Sequence, residues 1–509
     1  MILGRAHGVA LAGMTGFPVE VQVHLSATIP GFTLVGLPDT SLAESRDRVR
    51  AAISSSGLRF PQRKVIVNLA PASLPKSGSS FDVAIAMGIL VADGTLVEAL
   101  VKDTVFLGEL GLDGGIHAVK GVLPAIAGAL KAGYTKFVVP MGNLTEALLV
   151  PGAQVLGAPS LAWVVARFGG DIQVPDLPQP PPVPSAGEPE EPADLSEVIG
   201  QGQAKFALEV AAAGGHHLLM VGPPGTGKTM LASRLPGILP PLTEQESVEV
   251  TSMHSIAGTF DPSRGLITRP PFQSPHHTAT PVAIVGGGSG MPRPGAVSLA
   301  HRGVMFMDEA PEFSPRVLQT LRQPLERGQL VISRVSASAV FPARFQLVLA
   351  ANPCPCGNAS GRGEKCTCSS LQVRRYFSRI SGPLLDRIDL QIEVLPVTAL
   401  EVAERGRAEA SRVVAARVAQ ARAAAAARLT DTPWTRNAEV KGAWLRDVLG
   451  RDSSAVKEVN QAVETGALTL RGADRVLRVA WTLADLAGAT SPQSDHVFAA
   501  VVLRTRGAA

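Results

Sequence analysis

Three short stretches of the chain carry side chains whose types and spacing could do phosphate chemistry. The segment HHLLMVGPPGTGKTMLASRL sets Gly222, Pro223, Pro224, Gly225, Thr226, Gly227, Lys228 and Thr229 between an apolar strand and a helix. Glycines in such a loop let backbone N–H groups turn inward around phosphates, and the helix N-terminus adds positive potential. In this pattern Lys228 reaches the β- and γ-phosphates and the Thr229 hydroxyl holds Mg²⁺, so ATP and Mg²⁺ are the expected ligands. Gly-rich loops also arise by chance; the order strand, loop, helix separates this one from them. Some eighty residues on, GVMFMDEA ends an apolar strand in Asp308 and Glu309. Asp308 is placed to organise the Mg²⁺ shell and Glu309 to polarise the attacking water. A further strand, FQLVLAAN, ends in Asn352, which is placed to orient that same water. The competing reading of Asn352 is a turn former before Pro353.

All cysteines of the chain fall in the loop 352–370: Cys354, Cys356, Cys366 and Cys368. C-x-C, nine residues, then C-x-C supplies four thiolates, the number a tetrahedral structural Zn²⁺ site needs, although the pairs are tighter than the commoner C-x₂-C knuckle. The alternative is four free or redox-active thiols. A closed four-thiolate site leaves no position for catalysis, so its task would be to stiffen a Gly/Ser/Lys-containing loop or to shape a DNA-facing surface. His276 and His277 also invite a metal reading, but adjacent histidines do not both face one ion; they read as structural or as neighbours of nucleic acid.

The elements that must position these residues follow from the rest of the chain. A length of 509 residues implies two to four domains, and 46% hydrophobic residues with positive mean hydropathy imply a globular fold. Apolar runs long enough to span a bilayer are lacking, and the start MILGRAHGVALAGMTG is too short and Gly-rich for a signal peptide, so a cytoplasmic protein without membrane contact is expected. A net charge of +4 permits nucleic-acid binding without requiring it, and 4% aromatics make stacking platforms sparse. From Pro175 to Pro192 eight prolines in eighteen residues form an extended spacer. We divide the chain into an α/β domain (1–172), a proline-rich linker (173–195), a second α/β domain (196–396) and an all-α domain (397–509). In the first, the β-runs VEVQVHL, FTLVGL, KVIVNLA and KFVVP alternate with the helical stretches SLAESRDRVRAAISSSG and FDVAIAMGILVADG; in the last, LEVAERGRAEASRVVAARVAQARAAAAARL predicts one long helix.

The stretch SPHHTATPVAIVGGGSGMPRPGAVSLAHRGVMFMDEAPEF, followed by ANPCPCG and YFSRISGPLLDRIDL, resembles the YifB/ComM group of magnesium-chelatase-like AAA+ ATPases, and the resemblance covers nearly the whole chain. It implies a Lon-protease-like N-terminal α/β domain, a P-loop AAA+ α/β domain of the helix-2-insert type and a C-terminal all-α lid. By the same resemblance Arg387 in PLLDRIDL looks like an arginine finger reaching a neighbouring subunit, Arg379 is a second candidate there, and Arg471 in LTLRGADRVLRVA looks like the sensor-2 arginine. Arg375 and Arg475 are expected in surface salt bridges. A finger supplied in trans makes hydrolysis depend on assembly, so a ring, a homo-hexamer, is implied. The stretch between PHHTAT and GAVSLAH would be an insert facing the ring's pore, with Gly286 to Gly288 as a mobile tip. A second hairpin is expected around the turn Arg334 to Pro342, with Arg334 as a phosphate contact or a solvated residue.

In the N-terminal domain Ser80 falls on the nucleophile position of Lon proteases, but the general-base position falls on Leu123, and Lys120 is out of register. The domain is therefore expected to be proteolytically inactive, a scaffold or docking collar. The resemblance implies a DNA motor with helicase and branch-migration activity on single-stranded or branched DNA, in homologous recombination or natural transformation. The alternatives are a chelatase motor working with a partner subunit, and a protein-remodelling ATPase or Lon-like protease.

Overall fold

In the strand Thr15–Ser26 buried and solvent-facing residues alternate, the period of a sheet covered on one face, and it pairs antiparallel with Leu3–Ala12 in a near-complete register from Leu3 opposite His24 to Ala12 opposite Thr15. The computed structural model describes residues 3–36, 42, 44–74, 76, 78–174, 193–288, 292–333, 338–359, 365–403, 408–450 and 453–505. Most of the proline-rich linker, and Arg334, lie outside the described residues.

The N-terminal sheet has seven strands, in spatial order Gly31–Val35, Lys64–Ala70, Thr15–Ser26, Leu3–Ala12, Thr104–Phe106, Lys136–Pro140 and Gln154–Ala158. Its core is built around the helix Asp82–Ala92, every residue of which is buried. The helix Val122–Lys131 packs against Glu244–Ala257 of the next domain; there the Ser255 hydroxyl donates to Glu146, and Val248 and Leu266 join the N-terminal apolar cluster. The N-terminal domain is thus seated directly on the second.

The second sheet orders Phe272–Gln273, Val304–Met307, Gln346–Ala351, Leu218–Val221 and Leu390–Glu393, all parallel. Its central strands are buried on both faces, as continuous apolar runs in a parallel sheet require. Because the strands are parallel, the residues following each of them gather at one edge, where ligands of open α/β sheets bind.

After Val394 the chain is helical, but the single long helix predicted for 400–429 is two, Ala399–Ala403 and Ser411–Arg428. Ser411 begins the second: its backbone N–H donates to Asp194, and its hydroxyl accepts from the N–H of Leu195 at 2.7 Å. These tertiary bonds fix a helix start that intrinsic propensity does not mark. Residues of the C-terminal helices (Val414, Val418, Val476, Trp481) share one apolar cluster with the sheet strands (Leu218, Val348, Leu390).

At that junction Asp389 is almost fully buried between Arg475, His216 at 3.3 Å and the backbone N–H of His217. Burial acts to raise the Asp389 carboxyl, and Arg475 with the two histidines overrides it, holding the pKa far below the carboxylate range. Arg475, expected in a surface salt bridge, is instead the partner of this buried acid, because strand Leu390–Glu393 brings Asp389 under the helix Leu470–Leu486. Asp389→Asn leaves the Arg475 charge buried and uncompensated; a loss of about 3–5 kcal/mol is expected in denaturant unfolding, and a loss within about 1 kcal/mol would contradict it. Among the described residues no helix is long and apolar enough to cross a membrane.

Candidate nucleotide site

The loop between strand Leu218–Val221 and helix Lys228–Ile238 sits at the sheet edge. A Cβ on Gly222 would come within 2.1 Å of the Val394 carbonyl, so only glycine passes there. Gly225 and Gly227 adopt left-handed φ of 78° and 87° and face open space. Lys228 is buried, and its ammonium donates to the carbonyls of Gly222 (2.7 Å) and Pro223 (2.8 Å) and to Asn352 Oδ1 (3.3 Å). Burial lowers its pKa, opposed by the carboxylates of Asp308 and Glu309. The Thr226 hydroxyl donates to the Pro223 carbonyl at 2.9 Å and braces the turn.

Thr229 Oγ1 donates to Asp308 Oδ2 at 2.6 Å, and Asp308 Oδ1 accepts from the Glu309 N–H at 2.9 Å. The sheet order places the Asn352 strand between the strands ending in Val221 and Met307, which is why Asn352 touches Lys228 while Asp308 reaches Thr229 from the strand beyond. Glu309 has a left-handed φ of 50°, an uncommon conformation for a non-glycine residue and frequent at functional sites. Hydroxyl and carboxylate oxygens side by side form the hard donor set that suits Mg²⁺, and a glycine-rich loop entering a helix N-terminus with a buried lysine suits a triphosphate.

His277 is a residue of this site that its sequence context does not reveal. Its Nδ1 lies 3.4 Å from Glu309 Oε2, and its ring stands edge-on to Phe313. Strand Phe272–Gln273 runs parallel beside Val304–Met307, so residues past their ends become neighbours; no local signal announces a strand only two residues long. His276 stacks on His277 at 4.1 Å and bonds to Thr278.

The cysteine loop lies against the phosphate loop. Gly357, at φ 81°, approaches Pro224 so closely that a Cβ would come within 2.7 Å of its ring. The four Sγ atoms lie within 4.8 Å of one another, with Cys354 3.2 Å from Cys356 and 3.6 Å from Cys366. Thiolates about 2.3 Å from a tetrahedral Zn²⁺ stand about 3.8 Å apart, so the cluster fits that ion. Backbone N–H groups of Thr367 and Asn358 pull the Cys356 thiol down to about 6. Ser369 then caps the helix Ser370–Ser378 in a reciprocal box with Gln372. Arg379 closes that helix and pairs with Glu312 at 3.0 Å, while Arg387 follows a separate short helix, Gly382–Leu385.

Arg387 is held by Glu326 and the Pro383 carbonyl, and Arg471 by Asp386 at 3.1 Å. Burial lowers the Arg387 pKa, and Arg475, Arg322 and Arg471 add to it, so these arginines share one patch. The structure thus brings Lys228, Thr229, Asp308, Glu309 and Asn352 together, while Arg387 contacts Glu326 and Pro383 and Arg471 contacts Asp386. Gly286 and Gly287, expected at a mobile tip, are buried and stand opposite Pro294 and Arg293 respectively; a Cβ on Gly286 would meet the Arg293 carbonyl at 2.3 Å. The second hairpin joins Gln329–Ser333 to Ser338–Pro342, so the latter strand occupies part of the expected turn. In the N-terminal domain Ser80 and Lys120 line one cavity, and Leu123 is buried.

The sheet order, the loop and its acidic partner define a P-loop ATPase of the AAA+ kind. Its segments match three family descriptions: Magnesium chelatase, subunit ChlI (residues 194–402), Subunit ChlI of Mg-chelatase (21–143) and the ChlI C-terminal domain (408–504). The chain is 40% identical to Competence protein ComM of Haemophilus influenzae over 510 residues (99% of this chain, 98% of that one) and 40% identical to YifB of Salmonella typhimurium over 509 (99% and 97%). It is 32% identical to Lon protease 2 of Bacillus subtilis over 151 residues, 26% of this chain and 25% of that one. The chain belongs to the YifB/ComM family of magnesium-chelatase-like ATPases.

Proposed function

We propose that this ATPase assembles as a homo-hexameric ring and moves single-stranded or branched DNA, as a helicase in recombination or transformation. The observation that carries the reading is the division of the machinery: phosphate, metal and water residues contact one another, while Arg387 contacts Glu326 and the Pro383 carbonyl, as a finger acting on a neighbour would; Arg471, bound to Asp386, is read as the sensor-2 arginine of the lid. Lys228 and the loop amides hold the phosphates, Thr229 and Asp308 hold Mg²⁺, Glu309 and Asn352 position the water, and His277 orients Glu309. Bound Mg²⁺ would supply charge neutralisation for phosphoryl transfer. Arg379 is the second interface arginine, the C-terminal helices act as the lid, and the stretch between Thr280 and Gly295 acts as the pore-facing insert. The DNA assignment draws on full-length similarity to a competence protein.

The test is ATP hydrolysis without DNA, with single strands and with a branched duplex, at two salt concentrations. Stimulation that weakens with salt is expected of a motor contacting phosphates; hydrolysis indifferent to every DNA would contradict the reading. A chelatase motor is the second reading, favoured by the matches to chelatase subunit models; a pull-down that recovers a tetrapyrrole-enzyme partner would select it.

The cysteine loop is proposed to hold one structural Zn²⁺, bracing the path from Asn352 to the Arg379 helix. One zinc per chain is expected by metal analysis, falling to none in Cys354→Ser/Cys366→Ser, with ATP affinity weakened through the Gly357–Pro224 contact. Metal content unchanged by that double substitution would contradict the assignment.

A further inference from the structure

At the end of the second sheet remote from the nucleotide loop, a cavity of about 310 Å³ lies between the sheet and the C-terminal helices. Gly303 and Gln346 line it where their strands begin, whereas the phosphate loop follows a parallel strand's end. Three arginines line it from three elements: Arg302 from the turn before strand Val304–Met307, Arg422 from helix Ser411–Arg428, and Arg436 from the loop beyond that helix.

Their partners differ. Arg302 is neutralised by Glu246 at 3.1 Å and Glu249 at 3.5 Å. Arg422 forms no ion pair among the described residues; its Nε and Nη2 both donate to one carbonyl, Ala212 O, at 2.8 and 2.6 Å. The Arg436 side chain makes neither an ion pair nor a hydrogen bond among the described residues, and the neighbouring Glu439 accepts instead from the Thr435 N–H at 3.0 Å. Burial pushes Arg422 down to about 9, and Arg436 adds to the shift; burial also lowers Arg436 itself, with Arg302 and Arg344 contributing and Glu439 and Glu246 opposing. The Ala212 carbonyl, near the end of the helix Gly202–Gly214, accounts for two N–H groups of Arg422 and for none of Arg436. Glu246 also lines the cavity but is ion-paired with Arg302, which leaves two guanidinium forks without a carboxylate partner among the described residues; such a pair matches a polyvalent oxyanion, which each can bind through two parallel N–H groups.

We propose that this cavity is a binding site for a compact phosphate-type polyanion of the pyrophosphate class, held by Arg422 and Arg436. Because these arginines come from helix Ser411–Arg428 and the loop after it, and the cavity floor from the sheet, a bound anion fastens the C-terminal segment to the ATPase core. The site is separate from the nucleotide loop and stands whether or not the ring acts on DNA.

The test is calorimetric titration of the full-length Lys228→Ala protein with pyrophosphate in Mg²⁺-free buffer, the substitution silencing the loop, which would also take this ligand. One saturable site is expected, weakened at least about tenfold by adding Arg436→Gln, as loss of a charged hydrogen bond implies. Thermal unfolding without anion separates this from a structural role: removing an uncompensated charge is expected to leave Tm unchanged or raise it. No saturable binding, or binding that Arg436→Gln does not alter, would overturn the proposal. Should Arg436→Gln fail to fold, Arg436→Lys is expected to weaken binding, and equal affinity would overturn it. An oligonucleotide that binds through Arg436 and is not displaced by pyrophosphate would also overturn it, assigning the arginines to a DNA backbone.

Discussion

Arg387→Ala is expected to lower ATP turnover by about 10³–10⁵-fold while nucleotide still binds, the magnitude of losing an arginine finger. Within one chain the Arg387 guanidinium is occupied by Glu326 and the Pro383 carbonyl, in the patch it shares with Arg471 and Asp386. In the proposed ring it would act on a γ-phosphate held by the loop of another subunit. Glu326 is about half exposed, so the ion pair lost with Arg387 contributes little stability, and the substitution acts on rate. Mixing Arg387→Ala with Glu309→Gln subunits sharpens the test. Each is nearly inactive alone, yet interfaces with Arg387 from one and Glu309 from the other are intact, so turnover is expected to recover. No recovery at any ratio would place Arg387 outside a shared site, and an active Arg387→Ala enzyme would remove the case for a finger.

Glu309→Gln is expected to cost about 10²–10⁴-fold in turnover, the range for removing a positioned general base, with ATP binding retained. The amide keeps the size of the side chain and its reach to His277, which stands 3.4 Å away, but it cannot take a proton. Lys228, Thr229 and Asp308 are untouched, so affinity for a fluorescent ATP analogue is expected to stay within a few-fold of the parent. A loss of turnover below about tenfold would show that another group activates the water. A parallel collapse of affinity would show that Glu309 belongs to the metal shell.

What the sequence made legible was local. The phosphate loop, Asp308 and Asn352 each end a buried strand, and a buried parallel strand announces itself as an unbroken apolar run. The four thiols were legible for the same reason, since their spacing lies within fifteen residues. What depended on strand order was not. His277 meets Glu309 only because a two-residue strand runs beside Val304–Met307, and Gly357 meets Pro224 only because the Asn352 strand is the immediate neighbour of the phosphate strand. Arg475 looked like any surface arginine until the sheet brought Asp389 beneath it. Gly286 shows the opposite failure: three consecutive glycines suggest mobility, whereas here the missing Cβ is what lets two backbone segments approach. The start of helix Ser411–Arg428 is set by Asp194 and Leu195, more than two hundred residues away in sequence.

The measurement that bears most directly on the central claim is displacement of a labelled strand from a branched duplex by the purified protein with ATP and Mg²⁺. Strand release that requires hydrolysis, is absent with Glu309→Gln and falls as salt rises is the expected result. Vigorous hydrolysis with every strand left in place, across forked, flapped and four-way substrates, would contradict a DNA motor and leave an ATPase that works on another partner.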